Sequence, residues 1–394
     1  MSSPSDFFDV VEFDYDLEKK KFIDNLNFLK NMDVHEQTFY KKWYELQSYN
    51  SLISNSTLTK ASVWNASDIL DEKSTISEIE AMNPTIELVK TKADENHWLM
   101  LRLFCHTMEF SQTPGRFLKF LIHDGSPEKK YLGGISVSSD VIAITDRDNY
   151  IGWSSENRLK GNKRINNSSI GSCIMSTQPF GYNFLGGKLG ACLVTTDVVR
   201  ETWKSQYDAV LAGMTTTSLY GSFSMYNSLK WWYKCGTSAG KISIKPDDSV
   251  YEIWHHWIQK NKPAEYAKMM TQKEGVSGPV TGAKQRVIST VFSQLGIKAS
   301  DYVHGFQRGT YYSSFYENTR DFLCDKITEN ELVMKPLFAG DKNLILEWWR
   351  PRAIERYKKL RSEGKLKSDV LYYNDMIGME YNEAKERYLN EVGR

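Results

Sequence analysis

The stretch Asn183-Phe184-Leu185-Gly186-Gly187-Lys188-Leu189-Gly190-Ala191 limits the chain more than any other. It follows a buried-strand pattern over 170–176 and the break Thr177-Gln178-Pro179-Phe180-Gly181, and it opens a helix expected to reach about Tyr207. A glycine-rich turn between a strand and a helix commits this part of the chain to an α/β unit. It is also how proteins hold a diphosphate: backbone N–H groups and the positive end of the helix dipole face the anion, and glycine lets the backbone come close. Asn183, Gly186, Gly187, Lys188 and Gly190 are the candidate cofactor-binding residues, with Lys188 adding one direct charge. The same glycines also suit a turn that only lets helix and sheet pack closely. The spacing is neither a Walker A loop nor a dinucleotide-binding fingerprint.

Around this turn the pattern predicts strands at 117–121, 131–137, 170–176 and 208–217, a helix over 224–234, a turn at 236–240 and a strand at 241–244. Residues 139–145 continue the sheet or begin a helix, and 146–164 read as a polar loop. The apolar run 97–110 predicts a helix against the sheet. Phe22, Leu26 and Leu29, then Phe39, Trp43 and Leu46, recur at helical spacing, so helices precede the sheet. Residues 48–56 read as a loop. Residues 61–95 read as connecting structure, with a capped helix start where Ser77 precedes Glu80. A helix over 284–295 and an aromatic strand or loop over 301–312, extending the sheet or roofing the site, complete the outline. The organisation expected is a helical region 1–95, an α/β domain 96–246, a sheet extension or lid 247–330 and a basic helical region 331–394.

Strand, phosphate turn, helix, strand, helix, strand is the order of the acyl-CoA N-acyltransferase (GNAT) fold, which the chain resembles over about a third of its length. The family pattern has Arg or Gln, two residues, Gly, one residue, then Gly or Ala; Asn183, Gly186 and Lys188 stand at those places, a departure at both ends. Tyr150-Ile151-Gly152-Trp153-Ser154, Asn166-Asn167-Ser168, Asn183-Phe184-Leu185 with Leu189-Gly190, and Tyr220-Gly221 with Gly236-Thr237-Ser238-Ala239-Gly240 are similar to signature blocks of the Druantia DruA-type family, found in phage defence loci and transposon-associated proteins. That family is GNAT-like in outline, and the fold also resembles the phage Mom-type enzymes that modify adenine in DNA. The fold class expected is therefore α/β, a GNAT-like mixed central sheet flanked by helices, with helical N-terminal and C-terminal extensions.

The resemblance implies acetyl-CoA or a related acyl-CoA as donor and a tyrosine acid for the leaving thiolate. Tyr226 fits that role better than Tyr233, because Ser222, Ser224 and Asn227 surround it with polar groups. Asp148 and Asn167, with Asp146 and Asn166, lie in the segments leading into the central strand, where an acceptor amine would enter; such residues also cap turns. His255 and His256 diverge by about 100° if helical, so they do not share a metal ion.

Trp348, Trp349, Arg350, Arg352, Arg356, Lys358, Lys359, Arg361, Lys365 and Lys367 form a basic, aromatic-fronted helix. Phosphate contacts from the cations and stacking on the aromatics suit nucleic acid, DNA above all. Trp349, Arg350, Arg352, Arg356, Lys359 and Arg361 are the candidate nucleic-acid contacts; the alternative is a solvated face balanced by acidic helices. The overall charge of +1 names no partner, and the five cysteines show neither zinc nor disulfide spacing. With 41% hydrophobic residues, no leader pattern and no run of about 18 apolar residues, a soluble cytoplasmic protein with no membrane partner is expected, in the host cytoplasm if phage-encoded. The leading expectation is a phage-borne, GNAT-like transferase that modifies a base amine in nucleic acid. The alternative is a non-catalytic nucleic-acid-binding or assembly protein that retains the fold.

Overall fold

A computed structural model describes residues 13–106, 115–218, 224–238, 242–271, 282–304, 307–339, 342–368 and 378–392. The chain divides into two compact units, Met1–Gln37 with Ala239–Phe306, and Thr38–Ser238 with Gln307–Arg394.

The strands in chain order are β1 (Thr85–Leu88), β2 (Phe117–His123), β3 (Tyr131–Ser139), β4 (Ser168–Ser176), β5 (Gly213–Thr217), β6 (Tyr233–Thr237), β7 (Ile242–Ser243), β8 (Val303–His304) and β9 (Gly309–Ser314). Seven of them form the sheet of the larger unit in the order β1-β2-β3-β4-β5-β9-β6. All neighbours are antiparallel except β4 and β5, which run parallel over three pairs, Ser168↔Gly213 to Ile170↔Thr215. This is a mixed α/β fold with an open sheet, as the sequence predicts at that level.

Alternation along the strands decides what each face holds. Phe120, Ile122, Ile135, Val137, Ile174 and Met214 join one core with Leu189, Leu193 and Trp203 of the helices Gly186–Leu193 and Asp197–Tyr207, and with Trp349 and Tyr357 of the helix Asn343–Ser362. Leu121, Cys173 and Met175 meet Trp98, Leu101 and Phe104 of the helix Lys92–Cys105 on the other face. That helix starts in a capping box, where Thr91 accepts from Asp94 N–H and Asp94 accepts in return. Gly134 is needed beneath it: a Cβ there would collide with Met175 beside the Trp98 ring.

Several elements differ from expectation for identifiable reasons. Residues 224–232 form turns rather than a helix, because the carbonyls of Met225 and Asn227, which a helix would use internally, accept from Lys188 Nζ at 3.3 and 2.7 Å. The 233–237 segment is then strand β6. The long helix after the glycine turn breaks at Val194–Thr196, where the Thr195 and Thr196 hydroxyls donate to the carbonyls of Cys192 and Leu193. Residues 146–164 hold the short helices Thr145–Ile151 and Ser155–Leu159, separated by Gly152 at φ 82°. Residues 61–95 contain the helix Glu72–Ala81, capped by Asp71, and strand β1. Residues 48–56 include the helix Asn50–Ser54. Strand β9 extends the sheet as an insertion between β5 and β6. The parts of the expectations on 107–110, Tyr220-Gly221, Ser222 and Ala239-Gly240 lie outside the described residues.

The smaller unit contains the helices Tyr15–Lys30, Asp248–Asn261, Pro263–Met270 and Ala283–Leu295, with β7 and β8 paired as a ribbon. Phe22 packs edge-on against Trp254 and Phe292, at ring distances of 6.0 and 5.9 Å. His255 lies 3.2 Å from Glu252 and 3.0 Å from the Tyr266 hydroxyl, so a carboxylate and a hydroxyl engage it. Among the described residues no helix is long and apolar enough to cross a membrane.

Lys42, on the helix Val34–Ser48, is wholly buried beside Glu45 at 2.8 Å, and Arg102 lies 3.4 Å from the same carboxylate. Burial pushes its ammonium down to about 8, against the attraction of Glu45. Between about pH 8 and 10.5 the unfolded chain therefore binds a proton that the folded chain has released, so this group's contribution rises with pH there. Wild type is expected to gain about 2 kcal/mol on Lys42→Met between pH 7 and 9.5. Urea unfolding of both proteins at the two pH values checks this. A constant difference would show that Lys42 keeps an ordinary ammonium.

Candidate functional site

The glycine turn is held from three sides. Asn183 is fully buried, and its side-chain amide pairs with the backbone of one residue on both of its polar groups: Nδ2 donates to Lys367 C=O at 2.7 Å and Oδ1 accepts from Lys367 N–H at 3.1 Å. Leu185, at φ 56°, precedes the helix Gly186–Leu193. A Cβ on Gly186 would collide with Ser176 Oγ and the Phe180 ring, so these side chains fill the approach to that residue. Gly190 approaches Ile174 at ordinary contact distance, and Gly187 meets Met225 Sδ at 3.2 Å from an added Cβ. Lys188 reaches two backbone carbonyls, and burial lowers its ammonium from the usual lysine value. In this arrangement the residues around Gly186 do not fit a diphosphate: the glycine serves close packing, and the nearest cation is engaged.

The same turn carries the basic helix. Trp349 is completely buried and donates from Nε1 to Phe184 C=O at 2.9 Å, while Phe184 stacks on Tyr357 at 5.6 Å. Trp349 is thus a core residue and offers no face to a base, correcting the expectation that it stacks. Arg350 donates from Nη2 to Met82 C=O at 2.7 Å, and its Nε is buried without a partner. Arg361 binds Glu72 at 3.1 Å together with Leu70 C=O, Lys358 lies 3.8 Å from Glu72, and Lys359 and Lys365 pair with Glu363 at 3.9 and 2.9 Å. Arg352, Arg356 and Lys367, like Arg350, have no carboxylate within ion-pair distance among the described residues, although Arg356 still acts on Glu363 from farther away. Each sits over an aromatic ring instead, Arg352 over Trp348 at 4.7 Å, and Arg356 and Lys367 over Tyr182 at 5.1 Å.

The three residues expected to be catalytic are not assembled. Tyr226 is buried, with its hydroxyl 3.2 Å from Thr216 Oγ1, and burial raises its pKa well above the tyrosine range. Asp148 is bound by Arg147, Arg158 and Trp153 Nε1. Arg147 also binds Asp140, which accepts from Thr215 Oγ1 at 2.7 Å. Thr215 and Thr216 are consecutive on β5 and point to opposite faces, so the Tyr226 and Asp148 groups lie on opposite sides of the sheet. Asn167 donates from Nδ2 to Val210 C=O at 2.8 Å and accepts from Ala212 N–H at its own C=O, joining the start of β4 to the approach to β5.

Sequence reasoning passed over Ser172. The β3/β4 register shifts between Ser136 and Val137, so Ser172 bulges out of the ladder; it is exposed in an otherwise buried central strand and lies 2.9 Å from Ser136 Oγ. It also passed over Tyr182 and the Asp140–Arg147 pair. No motif marks them, since a tyrosine in a turn and charges in a loop read as ordinary surface.

These features define a class, an α/β sheet protein whose glycine turn carries a basic helix. The sequence matches the family described as Druantia protein DruA over residues 39–325, well over half of the chain, and the chain belongs to that family. Druantia protein DruA from Escherichia coli (strain UMEA 4076-1) is 26% identical over 292 residues, covering 69% of this chain and 69% of that protein. No solved structure matches.

Proposed function

We propose that the chain is a nucleic-acid-binding protein on a GNAT-like scaffold, in which the glycine turn supports the basic helix instead of holding a diphosphate. The observation that carries this reading is the set of Arg352, Arg356 and Lys367, with no carboxylate at ion-pair distance among the described residues, beside a turn whose polar groups are already engaged. Lys358, Lys359, Arg361 and Lys365 face carboxylates, whereas these three cations gather around Tyr182 and Trp348 with none at ion-pair distance, and a local cluster of positive charge favours a polyanion. What supports the GNAT-like reading is the strand order, with a late strand inserted between β5 and β6, and a parallel β4–β5 pair joined over only three residues.

Fluorescence anisotropy with labelled DNA and RNA oligonucleotides tests the proposal. The triple variant Arg352→Gln, Arg356→Gln, Lys367→Gln is expected to bind about 100-fold more weakly at low salt, at unchanged stability. Equal affinity in wild type and variant would remove the assignment.

A second reading, an acyl-CoA-dependent transferase acting on a base amine, is favoured by one observation, the exposed bulge at Ser172 where β4 runs past its last pair with β5. Nucleoside mass spectrometry of DNA and RNA from expressing cells, with thermal shifts in acetyl-CoA and CoA, separates the two. A modified nucleoside together with stabilisation by acyl-CoA would favour the transferase.

A further inference from the structure

We infer that this surface binds the phosphodiester backbone and is blind to the bases, with Tyr182 and Trp348 acting as positioning residues that orient its cations. The inference rests on the nucleic-acid reading above and names the part of the polymer that is recognised.

An exposed aromatic beside a basic helix ordinarily suggests base stacking. Here the rings are already engaged. Tyr182 has the Arg356 guanidinium and the Lys367 ammonium both at 5.1 Å from its centroid, so a base would have to compete with two cations for the ring. Trp348 carries Arg352 at 4.7 Å and forms a T-shaped pair with Trp231 at 5.8 Å. Trp349 is in the core. A base therefore finds no open aromatic platform on this helix.

The cations, in contrast, are organised. Arg352 spends one N–H on the Trp348 carbonyl at 2.8 Å, and Arg356 spends its Nε on the Tyr182 carbonyl at 3.5 Å. A guanidinium has five N–H donors in a fixed fork, so each arginine keeps donors for phosphate oxygens while its plane is set by a ring and a carbonyl. Arg352 and Arg356 stand one helical turn apart. Lys367 is fixed through its own backbone, whose N–H and C=O are both held by the buried Asn183 amide. The glycine turn thus positions one cation through Asn183 and two through Tyr182. Side chains held in place lose less freedom on binding, so the rings raise affinity without touching the ligand. Contacts of this type fix a polymer's position and carry no sequence information.

The test uses the full chain and three labelled probes: a single-stranded DNA oligonucleotide, an abasic oligomer of the same length and charge, and phosphatidylserine vesicles. The abasic oligomer is expected to bind within about threefold of the base-bearing one. The slope of log K against log salt is expected to flatten by about 2 in Arg352→Gln, Arg356→Gln, Lys367→Gln. Tyr182→Phe keeps the ring and is expected to bind like wild type, whereas Tyr182→Leu is expected to lose about tenfold at an unchanged melting temperature. An abasic oligomer bound more than about tenfold more weakly would overturn base-blindness and leave nucleic-acid binding standing. Binding to vesicles alone, or to none of the probes, would overturn both. Equal weakening by Tyr182→Phe and Tyr182→Leu would overturn the positioning role, since the hydroxyl and not the ring would then matter.

Discussion

Replacing Arg147 with methionine is expected to destabilise the larger unit by about 3–5 kcal/mol, the usual consequence of removing one partner from a buried charge cluster. The side chain is completely buried. Nη1 donates to Asp140 Oδ1 at 2.6 Å and to Val141 C=O at 2.8 Å, while Nε and Nη2 donate to Asp148 Oδ1 at 2.9 and 2.6 Å. Asp140 in turn accepts from the hydroxyls of Ser168 and Thr215 and from Val141 N–H, so one carboxylate ties the end of β3 to the start of β4 and to β5. Burial pushes the Asp140 carboxyl up, and Arg147 with the hydroxyl donors opposes that shift. Without the guanidinium, Asp140 is a buried charge with no cation, and its pKa rises further. Acidification then protonates it in the folded state, so the deficit of Arg147→Met should shrink as pH falls. Adding Asp140→Asn should restore part of the loss, because the amide oxygen still accepts from Ser168 and Thr215. Urea unfolding followed by far-UV circular dichroism measures each difference. A loss below about 1 kcal/mol would mean that water reaches these groups.

What the sequence reveals depends on how local each cause is. Strands β2, β3 and β4 are readable because Leu118, Phe120, Ile122, Ile135 and Ile174 announce a buried sheet. Strand β1 is half-buried throughout and four residues long, and β6 is largely exposed, so neither carries such a pattern. The helix expected over 224–234 fails because Lys188, far away in sequence, takes the carbonyls it would need. The glycine turn and the basic helix are each legible alone. That they form one surface is not, because the joining contacts, Trp349 to Phe184 C=O and Asn183 to Lys367 just past the helix end, span 165 and 184 residues and leave no compositional trace. Reading the turn as an anion site and Trp349 as a stacking residue follows from the same limitation: residue type suggests a chemistry, while burial decides whether a ligand can reach it.

Trp349→Ala gives the sharpest separation between those two roles, with an expected loss of about 3–5 kcal/mol. The indole is fully buried, lies 5.8 Å from the Phe180 ring and hydrogen-bonds Phe184 C=O, so truncation opens a cavity and leaves a buried carbonyl unpaired. Its neighbours on the same helix behave differently. Arg352→Gln and Arg356→Gln change exposed or half-buried cations, and each is expected to stay within about 0.5 kcal/mol of wild type while weakening oligonucleotide binding. Stability and binding should therefore divide along the helix by face: residues turned toward Phe184 hold the turn in place, and those turned toward Tyr182 and Trp348 hold the polymer. Chemical denaturation paired with anisotropy titration on the three variants reads both quantities. If Trp349→Ala kept full stability and lost binding, the indole would have to contact the ligand, and the division between core face and binding face would fall with it.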